Sequence, residues 1–126
     1  MDKKICLDSD IIIEILKNNK KTIEIVASSA EILCITPLTI FEIWNGRFEK
    51  ETQTIKSLLK NFEIIDFDGD SSFIAGDIER ALKNKGEELE IRDIFIASVC
   101  ISNKMPLLTN NKKHFERLKD FGLHLS

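Results

Sequence analysis

The sequence is poor in the residues that commonly build zinc and thiol chemistry. Its only histidines are His114 and His124, so a histidine-based zinc site is not expected. The three cysteines, Cys6, Cys34 and Cys100, lie far apart in apolar segments and form no Cys-x-x-Cys pair. We therefore expect buried, reduced thiols. No Ser-His or Cys-His arrangement indicates a covalent nucleophile.

Long apolar runs are also missing. No run approaches the roughly 20 apolar residues that a membrane-spanning helix needs. The N-terminal Met1-Asp2-Lys3-Lys4 is followed too soon by Asp8 and Asp10 for a signal peptide. The expectation is a cytoplasmic protein without membrane association.

The length of 126 residues is that of one domain, residues 1–126, and a hydrophobic fraction of 43% is enough to build a core. The net charge of −3 argues mildly against a nucleic-acid binder, which usually has a basic bias. A cluster of acids that binds divalent cations, however, makes the bare sequence look more acidic than the metal-loaded protein. A nucleic-acid substrate therefore stays open.

Short apolar segments alternate with helical ones along the chain. The segments at 4–7, 32–36, 63–67 and 105–109 have the composition of strands, and 32–36 shows no polar alternation, as in a strand covered on both faces. The pattern predicts an α/β fold with a central, mostly parallel sheet flanked by helices. Helices are expected at about 9–18, 22–29, 39–45, 49–60, 73–84, 93–101 and 110–115, with an edge strand at 122–125.

The stretch Leu7-Asp8-Ser9-Asp10 joins the first strand to the first helix. Asp8 falls at the carboxyl end of the strand, at the rim where open α/β sheets bind ligands. Two carboxylates two residues apart at such a rim are unfavourable unless a cation or hydrogen bonds hold them. Either Ser9 or Asp10 can simply cap the helix, and we favour this for Asp10. For Asp8 we favour a functional role.

Two further acids stand at comparable places. Thr39 and Glu42 have the spacing of a capping box at a helix start, which is a sufficient local explanation of Glu42. Asp93 opens an apolar helix, where it too can be a cap. Together, Asp8, Glu42 and Asp93 can meet at one end of the sheet and form an all-oxygen site suited to Mg²⁺ or Mn²⁺.

Four short motifs stand in order along the chain, each in the strand or helix context described above. They are Asp8-Ser9-Asp10 after a strand, Thr39-Ile40-Phe41-Glu42 with Gly46, Gly86 with Leu89 and Asp93 before the apolar helix, and Thr109-Asn110-Asn111 with Phe115 after the last strand.

This series of motifs resembles the PIN-domain family, most closely the VapC-type toxins of bacterial and archaeal toxin–antitoxin pairs. The resemblance covers essentially the whole chain. It implies a metal-dependent endoribonuclease in which Asp8, Glu42 and Asp93 bind Mg²⁺ or Mn²⁺ and Asn111 belongs to the catalytic set. It also implies an RNA substrate, an antitoxin protein that covers the acidic site, and a homodimer.

The chain departs from the family pattern at one place. Asn111 stands where the family has Asn or Asp, and His114 stands where many members have an acid, so a fourth carboxylate is missing. One or two bound metal ions both stay open. His114 can bind phosphate when protonated or pack beside Phe115, and we favour packing. The basic residues just beyond the rim can hold the RNA backbone or form a solvated helix face: Lys112, Lys113, Arg117 and Lys119.

Two alternative functions stay open on the sequence. The first is a non-toxin nuclease of the same fold that acts in RNA processing, which a missing upstream antitoxin gene would indicate. The second is a receiver-like signalling domain. That domain needs a phosphorylatable aspartate near the middle of the chain and a lysine on a late strand. Here the central strand ends at Ile35-Thr36-Pro37, with no aspartate, and the last strand carries Thr109 and no lysine. Both features argue against a receiver-like domain.

Overall fold

Four parallel strands form a single sheet in the computed structural model, which describes residues 2–126. The order of the strands is β3-β2-β1-β4, so β1 lies in the interior of the sheet. The predicted α/β fold with a parallel sheet is therefore confirmed. The strands are β1 (Asp2–Leu7), β2 (Ala30–Ile35), β3 (Glu63–Ile64) and β4 (Leu107–Leu108).

Helices connect the strands and cover both faces of the sheet. Such crossover connections are what parallel strands require. The helices are α1 (Ser9–Leu16), α2 (Lys20–Ala27), α3 (Pro37–Asn45), α4 (Thr52–Leu59), α5 (Gly69–Asn84), α6 (Ile91–Ser102) and α7 (Lys112–Phe115), with 3₁₀ turns at Glu49–Glu51 and Glu116–Phe121. Among the helices of residues 2–126, none is both long and apolar enough to cross a membrane.

The side chains of β1 alternate between two hydrophobic cores. Cys6 belongs to the core on the α5 and α6 side, with Ala97. Ile5 and Leu7 belong to the opposite core, with Ile43 of α3. Successive residues of a strand point to opposite faces, so a strand with helices on both faces must be apolar throughout. This explains why the segment 32–36 shows no polar alternation.

All three cysteines are buried and unpaired, as the sequence predicts. Burial raises the pKa of the Cys34 thiol to about 11. A hydrogen bond with Cys6 raises the pKa of the Cys100 thiol well above its ordinary value. Cys34 and Cys100 are therefore protonated packing groups.

Several predicted boundaries are wrong. β3 ends at Ile64, and the predicted edge strand at 122–125 supplies only a bridge between Leu107 and Leu125. Residues before that bridge form a 3₁₀ turn that ends at Gly122 with φ of +103°. Strand composition alone does not decide the length of a strand, because each residue also needs a paired neighbour. The apolar helix begins at Ile91, so Asp93 lies in its first turn instead of opening it.

The start of α3 also differs from the prediction. Pro37 is the first helical residue, a position where its fixed φ and missing N–H are suitable. The Thr36 hydroxyl caps the helix by accepting a hydrogen bond from the backbone N–H of Thr39 at 3.3 Å. Thr39 is therefore inside the helix, and the predicted capping box of Thr39 and Glu42 is wrong. Glu42 falls in the second turn and faces the carboxyl edge of the sheet.

Helix α5 begins with a charged cap that makes stability depend on pH. The Asp68 carboxylate accepts a hydrogen bond from the backbone N–H of Ser71 at 2.9 Å, which lowers the pKa of Asp68 below its ordinary value. We expect Asp68→Ala to lower the melting temperature at pH 7. Because the pKa of Asp68 is lower in the folded protein than in the unfolded chain, the ionised carboxylate stabilises the fold above about pH 3.9, the ordinary aspartate pKa. This stabilisation is lost as the pH falls below that value.

Thermal unfolding from pH 7 to pH 2 tests this expectation. The difference between wild type and Asp68→Ala should shrink below about pH 4. Asp68→Asn is the matched control, since it keeps an acceptor oxygen without a titrating charge. A difference between wild type and Asp68→Ala that stays constant across the range would contradict the account.

Candidate metal centre and active site

The predicted site residues lie together in a polar cleft at the carboxyl edge of the sheet. Asp8 follows β1, Glu42 comes from α3, Asp93 from the first turn of α6, and Asn111 from the loop after β4. The cleft has a volume of about 310 Å³. It is lined by Asp8, Ser9, Asp10, Glu42, Glu90, Arg92, Asp93, Asn111 and His114.

The guanidinium group of Arg92 lies between the three predicted metal ligands. Its Nε donates to Glu42 Oε2 at 2.9 Å and its Nη1 donates to Asp93 Oδ1 at 2.8 Å. Its Nη2 donates to Glu42 Oε1 at 2.8 Å, to the Ser9 hydroxyl at 2.9 Å, and to Asp8 Oδ1. Three carboxylates from three separate elements thus converge on one cationic group.

The charges of this cluster do not balance. Asp8, Glu42 and Asp93 carry a formal charge of −3 and Arg92 carries +1, which leaves −2 before Asp10 is counted. Asp8 and Asp93 are almost fully buried. Burial alone would lower the pKa of Arg92, but its hydrogen bonds to Glu42 and Asp8 raise the pKa above its ordinary value. The guanidinium is firmly charged, and the site still has an excess of negative charge.

Asp10 adds to this excess. Its Oδ2 accepts a hydrogen bond from the backbone N–H of Asn110 at 3.0 Å, whereas its buried Oδ1 has no hydrogen-bond partner among residues 2–126. Burial and the neighbouring charge of Asp8 raise the pKa of Asp10. Asp8, and not Asp10, caps α1 by accepting from the backbone N–H of Ser9. The interpretation of Asp10 as the helix cap is therefore wrong.

The loop after β4 is tied to Asp8 by a buried hydroxyl. Thr109 Oγ1 lies 2.8 Å from Asp8 Oδ2 and 3.3 Å from Asp10 Oδ2, so its single proton is best placed for Asp8. The same hydroxyl accepts from the backbone N–H of Asn111 at 3.0 Å. The Asn111 side chain makes no capping hydrogen bond to α7 and lines the cleft.

His114 faces the acids as well as the core. Its Nε2 lies 2.8 Å from Asp93 Oδ2, and its ring packs edge-on to Phe115 with centroids 6.2 Å apart. The favoured interpretation of His114 as a packing residue is therefore incomplete. Asp93 is contacted through both oxygens, by Arg92 on one and by His114 on the other.

The donor set fits a hard divalent cation. The candidate ligand atoms are carboxylate oxygens, which hard divalent cations prefer. Three of the carboxylates already point toward a single cationic group. The buried Oδ1 of Asp10 lacks a hydrogen-bond partner among residues 2–126. In the conformation described for residues 2–126, however, no three acid, histidine or cysteine side chains surround a common point closely enough to hold a metal ion. The guanidinium group of Arg92 stands between them.

Arg92 is the residue that the sequence analysis missed. Its position was a usable signal, because a cation in the first turn of a helix is unfavourable beside the positive end of the helix dipole and is stabilised by an acidic partner. Of the basic residues predicted beyond the rim, Arg117 contacts Glu87 at 3.6 Å and Lys119 contacts Glu116 at 3.9 Å.

Comparison with known proteins identifies the family of this chain. The family model described as PIN domain matches residues 5–120. The chain belongs to the PIN domain family, of the VapC type. It is 34% identical over 125 residues to Ribonuclease VapC1 of Methanocaldococcus jannaschii, covering 98% of this chain and 88% of that protein. It is 26% identical over 121 residues to the tRNA(fMet)-specific endonuclease VapC of Salmonella typhimurium, covering 91% and 92%.

Solved structures of this family share the fold. VapBC-1 from nontypeable Haemophilus influenzae superimposes with a TM-score of 0.85 at 25% identity, over 98% of this chain and 96% of that chain. DNA-bound VapBC from Salmonella typhimurium gives a TM-score of 0.83 at 25% identity, over 100% and 98%. Membership of the PIN domain family excludes the receiver-like alternative.

The contacts of Thr109 generate a prediction about stability. Thr109→Val keeps the shape of the side chain but leaves Asp8 Oδ2 and the Asn111 N–H without their partner. We expect the free energy of unfolding in urea to fall by about 1–3 kcal/mol, the usual effect of a lost buried hydrogen-bond partner. Thr109→Ser is the matched control because it keeps the hydroxyl. Equal stability of Thr109→Val and wild type would show that the hydroxyl does not hold Asp8.

Proposed function

We propose that this protein is a divalent-metal-dependent endoribonuclease and the toxin of a type II toxin–antitoxin pair. The observation that carries the proposal is the convergence of Asp8, Glu42 and Asp93 on one cationic group at the carboxyl edge of the sheet. The names of the relatives support the reaction class, since VapC1 of Methanocaldococcus jannaschii is a ribonuclease. The preference for Mg²⁺ or Mn²⁺ follows from the all-oxygen donor set.

Asp8 and Asp93 would hold the cation, with Glu42 joining directly or through water. Such a cation lowers the pKa of a water molecule and neutralises charge on the phosphate during phosphodiester hydrolysis. Thr109 fixes the orientation of the Asp8 carboxylate through its hydroxyl. The Asn111 amide lines the cleft and can orient the attacking water by a hydrogen bond. The exposed Lys112 and Lys113 would hold the RNA backbone.

The antitoxin partner is proposed from the relatives and from the chemistry of the cleft. The structural relatives include VapBC assemblies from Haemophilus influenzae and Salmonella typhimurium. An acidic cleft with excess negative charge suits a partner that inserts a basic segment.

A cytoplasmic location and a homodimer stay predictions. Phe48 is 70% exposed beyond α3 and is available to an interface, whereas Trp44 is covered by the Arg47 guanidinium at 3.8 Å.

A non-toxin nuclease of the same fold stays the alternative. Both functions use the same chemistry, so the cleft does not separate them. A small antitoxin gene directly upstream, whose product binds this protein, supports the toxin. The absence of such a gene supports the RNA-processing alternative.

Asp8→Asn tests the metal-dependent reaction. We expect at least a 100-fold loss of RNA cleavage in Mg²⁺ or Mn²⁺, because a lost ligand removes roughly 3 kcal/mol or more of transition-state stabilisation. Cleavage of total RNA by gel electrophoresis measures the effect. Asp77→Asn is the matched control, since Asp77 is exposed on α5 away from the cleft and its replacement should leave cleavage unchanged.

Chelation provides the complementary measurement. Wild-type protein in excess EDTA should be inactive and should recover when Mg²⁺ or Mn²⁺ is added back. Full ribonuclease activity in excess EDTA would refute metal dependence. Wild-type activity of Asp8→Asn would refute the assignment of Asp8.

The missing fourth carboxylate generates a prediction about stoichiometry. An amide oxygen is a neutral ligand, so Asn111 adds no charge to attract a second cation. We expect one strong Mn²⁺ site in the wild type, and a second site that gains affinity in Asn111→Asp, as measured by isothermal titration calorimetry. Two equally tight sites in the wild type would show that Asp10 or another acid replaces the missing carboxylate.

A further inference from the structure

Arg92 occupies the place where the three acids converge. We propose that Arg92 is a built-in counter-ion, which holds the carboxylates of Asp8, Glu42 and Asp93 while the cleft is free of metal, is displaced when a divalent cation binds, and then binds a phosphate of the RNA substrate. This inference rests on the proposed metal-dependent function. It assigns a role to a residue that stands outside the predicted ligand set.

The first step of the argument is that guanidinium and metal compete for the same oxygens. The guanidinium contacts one oxygen of Asp8, one of Asp93 and both of Glu42. A cation coordinated by these carboxylates needs those oxygens and the space between them. In addition, the positive charges of the guanidinium and the metal ion would repel each other strongly at the short distances within this half-buried site. Both cations cannot hold the central position together.

The second step is that Arg92 can leave. Within residues 2–126, the side-chain hydrogen bonds of its guanidinium go only to the three acids and to the Ser9 hydroxyl. The residue lies in the first turn of α6, after an exposed Glu90 and beside Ile91, which is 55% exposed. The side chain keeps 20% of its surface open to solvent. Once a divalent cation compensates the carboxylates, the Ser9 hydroxyl is the one remaining hydrogen-bond partner of the guanidinium among residues 2–126.

The third step is that the displaced Arg92 side chain can bind a phosphate of the substrate. Among the described residues that line the cleft, Arg92 is the only lysine or arginine. A guanidinium presents paired N–H donors whose geometry matches two phosphate oxygens. RNA entering the cleft brings phosphate to the place where a displaced Arg92 side chain ends. The same residue therefore keeps the acids in place before the metal binds and positions the substrate afterwards.

Calorimetric titration with Mn²⁺ tests the competition. We expect Arg92→Gln to bind Mn²⁺ about tenfold more tightly than wild type or better, because the competing cation is gone; tenfold corresponds to about 1.4 kcal/mol. Arg92→Lys keeps the charge without the planar donors and should fall between the two. Arg47→Gln is the matched control. The Arg47 guanidinium donates to the Trp44 carbonyl oxygen and lies 3.9 Å from Glu49 Oε1, but it forms no ion pair with Asp8, Glu42 or Asp93, so its replacement should not change Mn²⁺ affinity.

The kinetics of RNA cleavage test separately whether Arg92 binds a phosphate of the substrate. At saturating Mn²⁺, Arg92→Gln should raise the KM for RNA severalfold while kcat changes less, since a phosphate contact is lost and the metal site is kept. A merely structural role for Arg92 would not combine tighter metal binding with weaker substrate binding. An unchanged KM would overturn the phosphate role.

Wild-type protein provides a test that does not depend on a variant that folds. In EDTA, the Nε–H of Arg92 should give a protected NMR signal because it donates to Glu42. Titration with Mg²⁺ should shift that signal or broaden it by exchange, while the Nε–H of Arg47 stays unchanged. An Arg92 signal that is unaffected by bound Mg²⁺ would overturn the proposal.

The outcomes also separate this proposal from the proposed function. If wild type and Arg92→Gln bind Mn²⁺ equally well, the metal-dependent function stands and the role of Arg92 falls. If neither binds Mn²⁺, the metal-dependent function fails and this inference fails with it. If Arg92→Gln binds Mn²⁺ and wild type does not, Arg92 blocks the site and is not displaced, so both the proposed displacement and the metal-dependent function of the wild type fail.

Discussion

The arrangement of the cleft depends on one electrostatic constraint, which is that several carboxylates are held together at a largely buried edge of the sheet. Carboxylates removed from water repel one another and lose hydration, so each oxygen requires a donor or a cation. The structure supplies these donors from separate parts of the chain. Within residues 2–126, Asp8 receives the Ser9 N–H, the Thr109 hydroxyl and Arg92, Asp93 receives Arg92 and His114, and Glu42 receives Arg92 alone. In this part of the chain, Arg92 is the one group that all three acids share.

The parallel sheet is what allows this concentration of charge. All four strands run in one direction, so their carboxyl ends reach the same edge, and the loops that follow them meet there. The apolar strands are buried between two cores, which leaves polar chemistry only at their ends. Pro37 fixes where α3 begins and thereby places Glu42 one turn further along, facing the cleft. The fold therefore positions the acids, and the acids then require a cation.

Much of this could be predicted from local pattern, and the rest could not for identifiable reasons. The alternation of strands and helices follows from apolar segments of characteristic length, and the fold is confirmed. The grouping of Asp8, Glu42 and Asp93 in one cleft follows from their places after a strand and near helix starts, whereas Asn111 was expected there only from the resemblance to the PIN-domain family. The roles of the three acids as metal ligands and of Asn111 as a catalytic residue stay predictions. The capping box at Glu42 failed because a spacing rule does not account for the proline that starts the helix earlier. Arg92 was missed because its partners lie 50 and 84 positions away along the sequence.

The central claim is that this acidic cleft is a divalent-cation site that Arg92 fills when the cation is absent. The most direct measurement is a crystal structure of the full chain in Mn²⁺, with anomalous diffraction used to locate the ion. The account predicts an anomalous peak bonded to carboxylate oxygens of Asp8 and Asp93, with the Arg92 guanidinium moved out of contact with both. No peak in the cleft, with Arg92 still bound to the three acids in crystals of protein that cleaves RNA, would contradict the account.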